Sequence, residues 1–227
     1  MSRITDYSFL FRNMFGIQKP TIPGSFQLSQ LNSSSVQKQL KAAGIDTNSK
    51  QYKAALKQMM SNANGAMYTN IQCIKNRMKS YDKDGDHIDP TTGLAGLLVT
   101  NENAESWKRI IPIPESSRDE MFELTKKEFL RENGVKNGDT TKRSDVYTNL
   151  HRKMQKNDRL AAGYTLEQYE RAYRQAFLNA VREADSDWEI GKPIKSGVLD
   201  GITRETVEDK MKKSGGTVTQ ASMDMKI

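Results

Sequence analysis

Cysteine is almost missing from this chain. Cys73 is the only one in 227 residues, so no intramolecular disulfide can form and no zinc or redox cysteine pair exists. That fits a reducing cytoplasm, or a disulfide-independent exported protein. Cys73 neighbours Ile74 on a segment of helical periodicity, where a small buried or half-buried hydrophobe is its expected role. Histidine is scarce too. His87 and His151 are the only two, and neither has an obvious nucleophile beside it in sequence. There is no apolar run long enough to span a bilayer. The hydrophobic fraction is 36% and the mean hydropathy −0.75, so a modest core under charged helix faces is expected. A secretory signal is not expected either, because Asp6, Arg12 and Asn13 interrupt what would be its apolar region. The expected location is therefore the cytoplasm, or outside the cell without a signal peptide of the usual kind. Gly191-Lys192-Pro193 lacks the surroundings of a phosphate loop, and Gly93-Leu94-Ala95-Gly96 lacks a dinucleotide fingerprint.

What is present is an unusual acidic run. Asp82-Lys83-Asp84-Gly85-Asp86-His87-Ile88-Asp89 places carboxylates at every second residue around a glycine. It follows directly on a segment with helical periodicity. A loop that wraps a hard cation such as Ca²⁺ needs oxygen ligands at this spacing. The stretch Asp-Lys-Asp-Gly-Asp resembles the first half of EF-hand and dockerin-type loops. That resemblance implies side-chain ligands from Asp82, Asp84 and Asp86 and a backbone carbonyl from Ile88. The pattern then departs from the family. His87 stands where the turn glycine is usual, Ile88 comes one place early, Gly93 stands where a bidentate Glu is usual, and Pro90 blocks the second helix. His87 is expected to take the left-handed turn conformation in place of glycine. Asp89, or one of Glu102, Glu105, Asp185 and Asp187, would have to complete the shell. The missing bidentate ligand implies weak affinity, with Kd of about 10⁻⁴ to 10⁻³ M. The alternative is a solvated turn in which Asp82 or Asp84 caps backbone N–H groups. Three carboxylates this close repel one another unless a cation neutralises them, which favours the cation site.

The net charge is +7 and the pI about 9.3. Such a balance suits nucleic acid, anionic polymer or an acidic protein surface. Lys and Arg appear along the whole chain, interleaved with acids. The densest patch runs from Lys142-Arg143 through His151-Arg152-Lys153 to Lys156 and Arg159. A solvated helix face accounts for it, and no nucleic-acid motif accompanies it.

The chain divides by pattern into four parts. Residues 1–32 read as an N-terminal aromatic arm, in which Tyr7, Leu10, Phe11 and Met14 share a helical face before Pro20 and Pro23-Gly24. This face is expected either to dock on the protein's own core or to bind a partner. Residues 33–114 read as a helical region with the acidic loop and an irregular segment, residues 115–213 as a helical region, and residues 214–227 as a flexible tail. Within them, a serine at 33–35 caps a helix that Gly44 stops, and Asp46 or Thr47 caps the next. A further helix is expected from Ala66 to Tyr81. Leu94–Val99 and Ile110–Ile113 are expected to pair as short strands or to pack extended, with Trp107 anchoring the region. Later helices are expected to open at Ser116 or Ser117 and at Ser144. Gly163 is expected to separate the Ser144 helix from one opened by the capping box Thr165-Leu166-Glu167-Gln168. A last helix is expected from Thr203 to Lys213. The stretch from Asp6 to Phe11, ending in Met14-Phe15-Gly16, resembles the start of uncharacterised clostridia-like bacterial proteins, some of them linked to flagella or the cell surface.

The expected fold is therefore mainly α: an irregular multi-helix fold with an EF-hand-like acidic loop and little or no β structure. The expected function is a non-catalytic structural or interaction protein stabilised by a bound cation, Ca²⁺ above others. An enzyme acting on a cell-wall or other polymer is the second expectation, since paired carboxylates leave little sequence trace. A basic nucleic-acid-binding protein is the third.

Overall fold

The computed structural model describes residues 24–61, 67–136 and 140–213. Among them the chain forms seven α-helices and one two-stranded antiparallel ribbon, so the fold is mainly α. Tyr7, Leu10, Phe11 and Met14 of the arm lie outside the described residues, as do Asn64-Gly65, Asn137-Gly138-Asp139 and the tail. The described chain divides into two compact units, the first ending at Ile88 and the second beginning at Asp89.

In the first unit the end of the expected arm is core. Strand β1 (Phe26–Gln27) pairs with β2 (Tyr68–Thr69), Phe26 opposite Thr69. Helix α1 (Ser34–Ala42) starts on Ser33, whose hydroxyl accepts from the Val36 N–H. Helix α2 (Lys50–Ser61) starts one turn later than Asp46 suggests. Asp46 spends its carboxylate on the Asn48 N–H (2.8 Å), and Ser49 Oγ accepts from Tyr52 N instead. Helix α3 covers only Ile71–Met78, shorter than the expected Ala66–Tyr81. Tyr68 and Thr69 are drawn into the ribbon, and Asn70, in an extended conformation, caps α3 by accepting from Cys73 N at 2.8 Å. Phe26, Leu28, Leu31, Leu40, Tyr52 and Ile74 meet in the core.

The second unit begins with an irregular stretch. No strand forms from Leu94–Val99 or Ile110–Ile113. Leu98 and Val99 are exposed, and Arg159 holds the Ala95 carbonyl while Thr165 Oγ1 accepts from Ile111 N. Side chains from the helices thus satisfy this backbone, and no ladder is required. Trp107 is half-buried with its ring edge-on to Tyr164. The deep indole is Trp188, which is 6% exposed and donates from Nε1 to the Lys192 carbonyl.

Helices α4 (Glu115–Arg131), α5 (Thr140–Lys153), α6 (Arg159–Ala184) and α7 (Arg204–Lys213) carry the core of this unit. Met121, Phe122, Phe129, Leu150, Tyr173 and Phe177 fill it. Each of these large side chains gains roughly 1.5–3 kcal/mol from burial. Phe122 stacks edge-on to both Tyr173 and Phe177. Two expected helix starts are absent. Ser144 lies inside α5 with its hydroxyl bonded back to the Thr140 carbonyl. Gly163 and the expected capping box lie inside α6, where Thr165 Oγ1 bonds back to Ala161 O at 2.8 Å. Leu130, next to buried Phe129 at the end of α4, is 41% exposed.

Candidate functional site

The acidic loop follows α3. Ser80 N and Tyr81 N close the helix end on the Arg77 and Met78 carbonyls. From α2, Gln51 Nε2 donates to the Met78 and Tyr81 carbonyls, at 3.0 and 2.7 Å, and fastens the chain where it enters the loop. Tyr81 then bridges to His87, their rings edge-on at 5.6 Å, and Ile88 N donates to Ser80 O. Inside that base, Asp82 N bonds Asp86 O and Gly85 N bonds Asp82 O. Asp82 Oδ1 accepts from both Asp84 N and Asp86 N at 2.9 Å.

This is a tight turn that closes within five residues. Its left-handed residue is Gly85, with φ +88°. His87 is not in the left-handed region, contrary to expectation: among the described residues Asn133 is the only non-glycine with positive φ. The reason is its pairing with Tyr81, which requires extended backbone. A Cβ on Gly85 would stand 3.1 Å from the Lys50 carbonyl, so α2 is packed against the turn as well.

The structure therefore brings Asp82, Asp84 and Asp86 onto one small turn, with Ile88 just past the Tyr81–His87 bridge that closes it. Asp89 begins the second unit, where its carboxylate accepts from Thr91 N at 2.7 Å. That bond, from the backbone of Thr91, holds the Asp89 carboxyl below its usual pKa. Asp185, a candidate to complete the shell, pairs with Lys195 at 3.0 Å. Among the described residues no group of three or more His, Cys, Asp or Glu side chains stands in a metal-holding arrangement.

The second unit holds two ionic clusters that the sequence reading missed. Arg143 on α5 forks between Glu128 on α4 and Glu170 on α6, tying three helices. Burial works against its charge, but Glu170 and then Glu128 outweigh burial and raise the guanidinium pKa. Beside it, Arg174 lies over the Phe129 ring and donates to the Gly134 carbonyl. Tyr147 has its pKa pushed up, first by burial and then by Glu170 and Glu167. At the other cluster, Glu208 on α7 accepts from Tyr173 Oη at 2.6 Å, from Arg204 at 3.1 Å and from Arg118. Arg204 also pairs with Glu115, Asp119 and Glu205.

A signal for these groups existed. Glu170 occupies a slot of the stripe Leu166, Tyr173, Phe177 and Val181. Glu128 stands three residues from buried Thr125, and Glu208 stands between Arg204 and Met211, both buried. A charge in a core register has to find a partner, and each of these does. Chemically, both clusters are clamps. Glu128 Oε2, Glu170 and Glu208 face guanidinium groups and a phenol, all on neighbouring helices except Arg204, which shares α7 with Glu208; Glu128 Oε1 is buried without a hydrogen-bond partner among the described residues.

Residues 45–227 match the model of a family described as a domain of unknown function (DUF3879), and the chain belongs to that family. No curated protein and no solved structure matches it.

Proposed function

We propose that this member of the family is a non-catalytic structural or interaction protein, with the turn at Asp82–Asp86 stabilised by a bound cation, Ca²⁺ before Mg²⁺. One observation carries the non-catalytic part. The buried ionisable groups of the second unit are engaged with one another: Arg143 ties Glu128 and Glu170 across three helices, and Glu208 holds Tyr173 and Arg118 of other helices and Arg204 of its own. The cation part is supported by the turn itself. Three carboxylates lie within five residues on a ring already closed by backbone bonds. Their mutual repulsion is relieved by a divalent ion. The likeness of residues 6–16 to clostridia-like bacterial proteins adds a bacterial origin to the proposal.

Thermal melts test the cation. Wild type should melt higher in millimolar Ca²⁺ than in chelator by mass action, and Asp84→Ala should show no such difference. Equal wild-type melting temperatures in the two buffers would remove the calcium reading. Mg²⁺ should do less, because the turn offers no regular octahedron. For the non-catalytic part, purified protein should release no reducing ends from cell-wall polymer. Release that Glu208→Gln abolished would overturn it.

A further inference from the structure

The net charge of this protein belongs to one of its two units. Residues 1–88 carry twelve Lys and Arg against five Asp and no Glu, whereas residues 89–227 carry twenty-three residues of each sign. The whole excess of +7 thus lies in the first unit. In the first unit the acids are confined to Asp6, Asp46 and the turn at Asp82–Asp86, and acids and bases balance only in the second. There the arginines are used internally, as at Arg118, Arg143 and Arg204.

The first unit uses its cations differently. Three of its five acids are Asp82, Asp84 and Asp86 on the turn, so helices α1, α2 and α3 carry no carboxylate at all. On α2, Lys50, Lys53 and Lys57 are exposed and stand at steps of three and four, in one stripe of the helix. Met60, three residues beyond Lys57, continues that stripe and is 44% exposed. The stripe lies opposite Tyr52 and Ala55, which are buried in the unit. On α1, Lys38 and Lys41 are exposed and line an open depression of about 430 Å³ with Gln37, Asp46 and Asn48. None of these five lysines has an ion-pair partner among the described residues.

The chemistry of this surface selects among anionic partners. Of the basic residues at 24–88 all are Lys except Arg77, whose guanidinium donates to Gln58. Arginine gives planar, bidentate recognition, whereas lysine acts as a compact point charge suited to a diffuse layer of phosphates. Phe26, Tyr52 and Tyr81 are buried and Tyr68 is half-buried, so among the described residues of this unit no exposed aromatic ring offers a stacking platform for single strands. A lysine stripe continued by an exposed methionine is what an anionic lipid surface takes: charges at the headgroups, apolar atoms just below them. The sequence of the arm has the same make-up. Phe9, Leu10, Phe11, Met14 and Phe15 are interspersed with Arg3, Arg12 and Lys19 and a single acid, Asp6. Among the described residues no helix is long and apolar enough to cross a membrane, so the contact would lie at the surface.

We propose that the first unit binds an anionic phospholipid surface through the Lys50, Lys53, Lys57 and Met60 face of α2. This deepens the interaction reading above and rests on it; it makes no use of the cation. The test is co-sedimentation of the full chain with phosphatidylcholine vesicles, with and without phosphatidylglycerol, at low and at higher salt. Binding should require phosphatidylglycerol and weaken with salt. The triple variant K50Q/K53Q/K57Q should bind about a hundredfold more weakly, since each lysine near such a surface contributes about fivefold. The control K192Q/K210Q/K212Q, on the neutral second unit, should bind like wild type. A circular dichroism melt of each variant in solution reads folding separately. Equal loss in both triple variants, equal binding to both vesicle types, or no sedimentation overturns the proposal. Tighter binding to duplex DNA than to the anionic vesicles at the same salt also overturns it, in favour of a nucleic-acid partner. None of these outcomes bears on the calcium melt or the hydrolysis assay, so the earlier reading stands or falls by itself.

Discussion

Gly163 shows how one contact can reverse a reading made from residue type. A glycine between two apolar stretches suggests a helix break, yet Gly163 lies inside α6, where a Cβ would meet His151 Nε2 at 3.0 Å. A larger residue there would have to displace the His151 ring of α5. His151 in turn is covered. Burial, with Arg159 adding to it, holds its imidazole below the usual pKa. The unfolded chain then binds more protons than the native one as pH falls through the ordinary histidine range. Stability supplied by neutral His151 is complete above about pH 6.5 and is lost as pH falls towards the depressed folded value. Chemical denaturation between neutral and mildly acidic pH should show this slope in the wild type, and His151→Gln should flatten it. Gly134 makes the opposite case, since it follows the end of α4 as a glycine after a helix is expected to. Its φ is +79°, and an added Cβ would stand 2.7 Å from the Trp188 ring. Gly134→Ala should therefore cost about 1–3 kcal/mol, measured by urea unfolding.

At the scale of elements, the amphipathic stripes were readable and the helix starts were not always so. Met121, Phe122, Thr125 and Phe129 share the buried face of α4 as their spacing requires. Ser33 caps α1 and Gly44 follows it, because local hydrogen bonds decide both. Ser144 and Thr165 are cap residues by type, but each satisfies its hydroxyl on a carbonyl four residues back and the helix runs through. What joins the helices is the clamp at Arg143, on an element whose sequence suggested only a solvated basic face. Arg143→Ala leaves Glu128 and Glu170 buried without their main cation. Breaking one side of such a buried cluster costs roughly 3–5 kcal/mol. Guanidinium unfolding of the second unit should show a loss of that order, whereas Arg171→Ala, whose pair with Glu167 is exposed, should lose under about 1 kcal/mol.

For the whole molecule, the division at Ile88 makes stability a property of two units. The first unit has a small core around Leu40, Tyr52 and Ile74; the second buries a larger set around Phe129, Tyr173 and Phe177. A smaller unit buries a smaller share of its surface and is less stable. Calorimetry should resolve two transitions, the lower belonging to the first unit, with Arg143→Ala moving the upper one. A single transition shifted as a whole by that variant would show that the units unfold together. The sequence by itself determined the helical class and most apolar stripes, because periodicity acts over a few residues. Only the tertiary structure decided that Glu128, Glu170 and Glu208 are core residues, since Arg143 and Arg118, which pair with them, lie on other helices, 15 to 90 positions away. It also decided where the charge resides. A net charge has no location until the chain is divided into units, and here that division leaves one unit neutral and the other strongly basic.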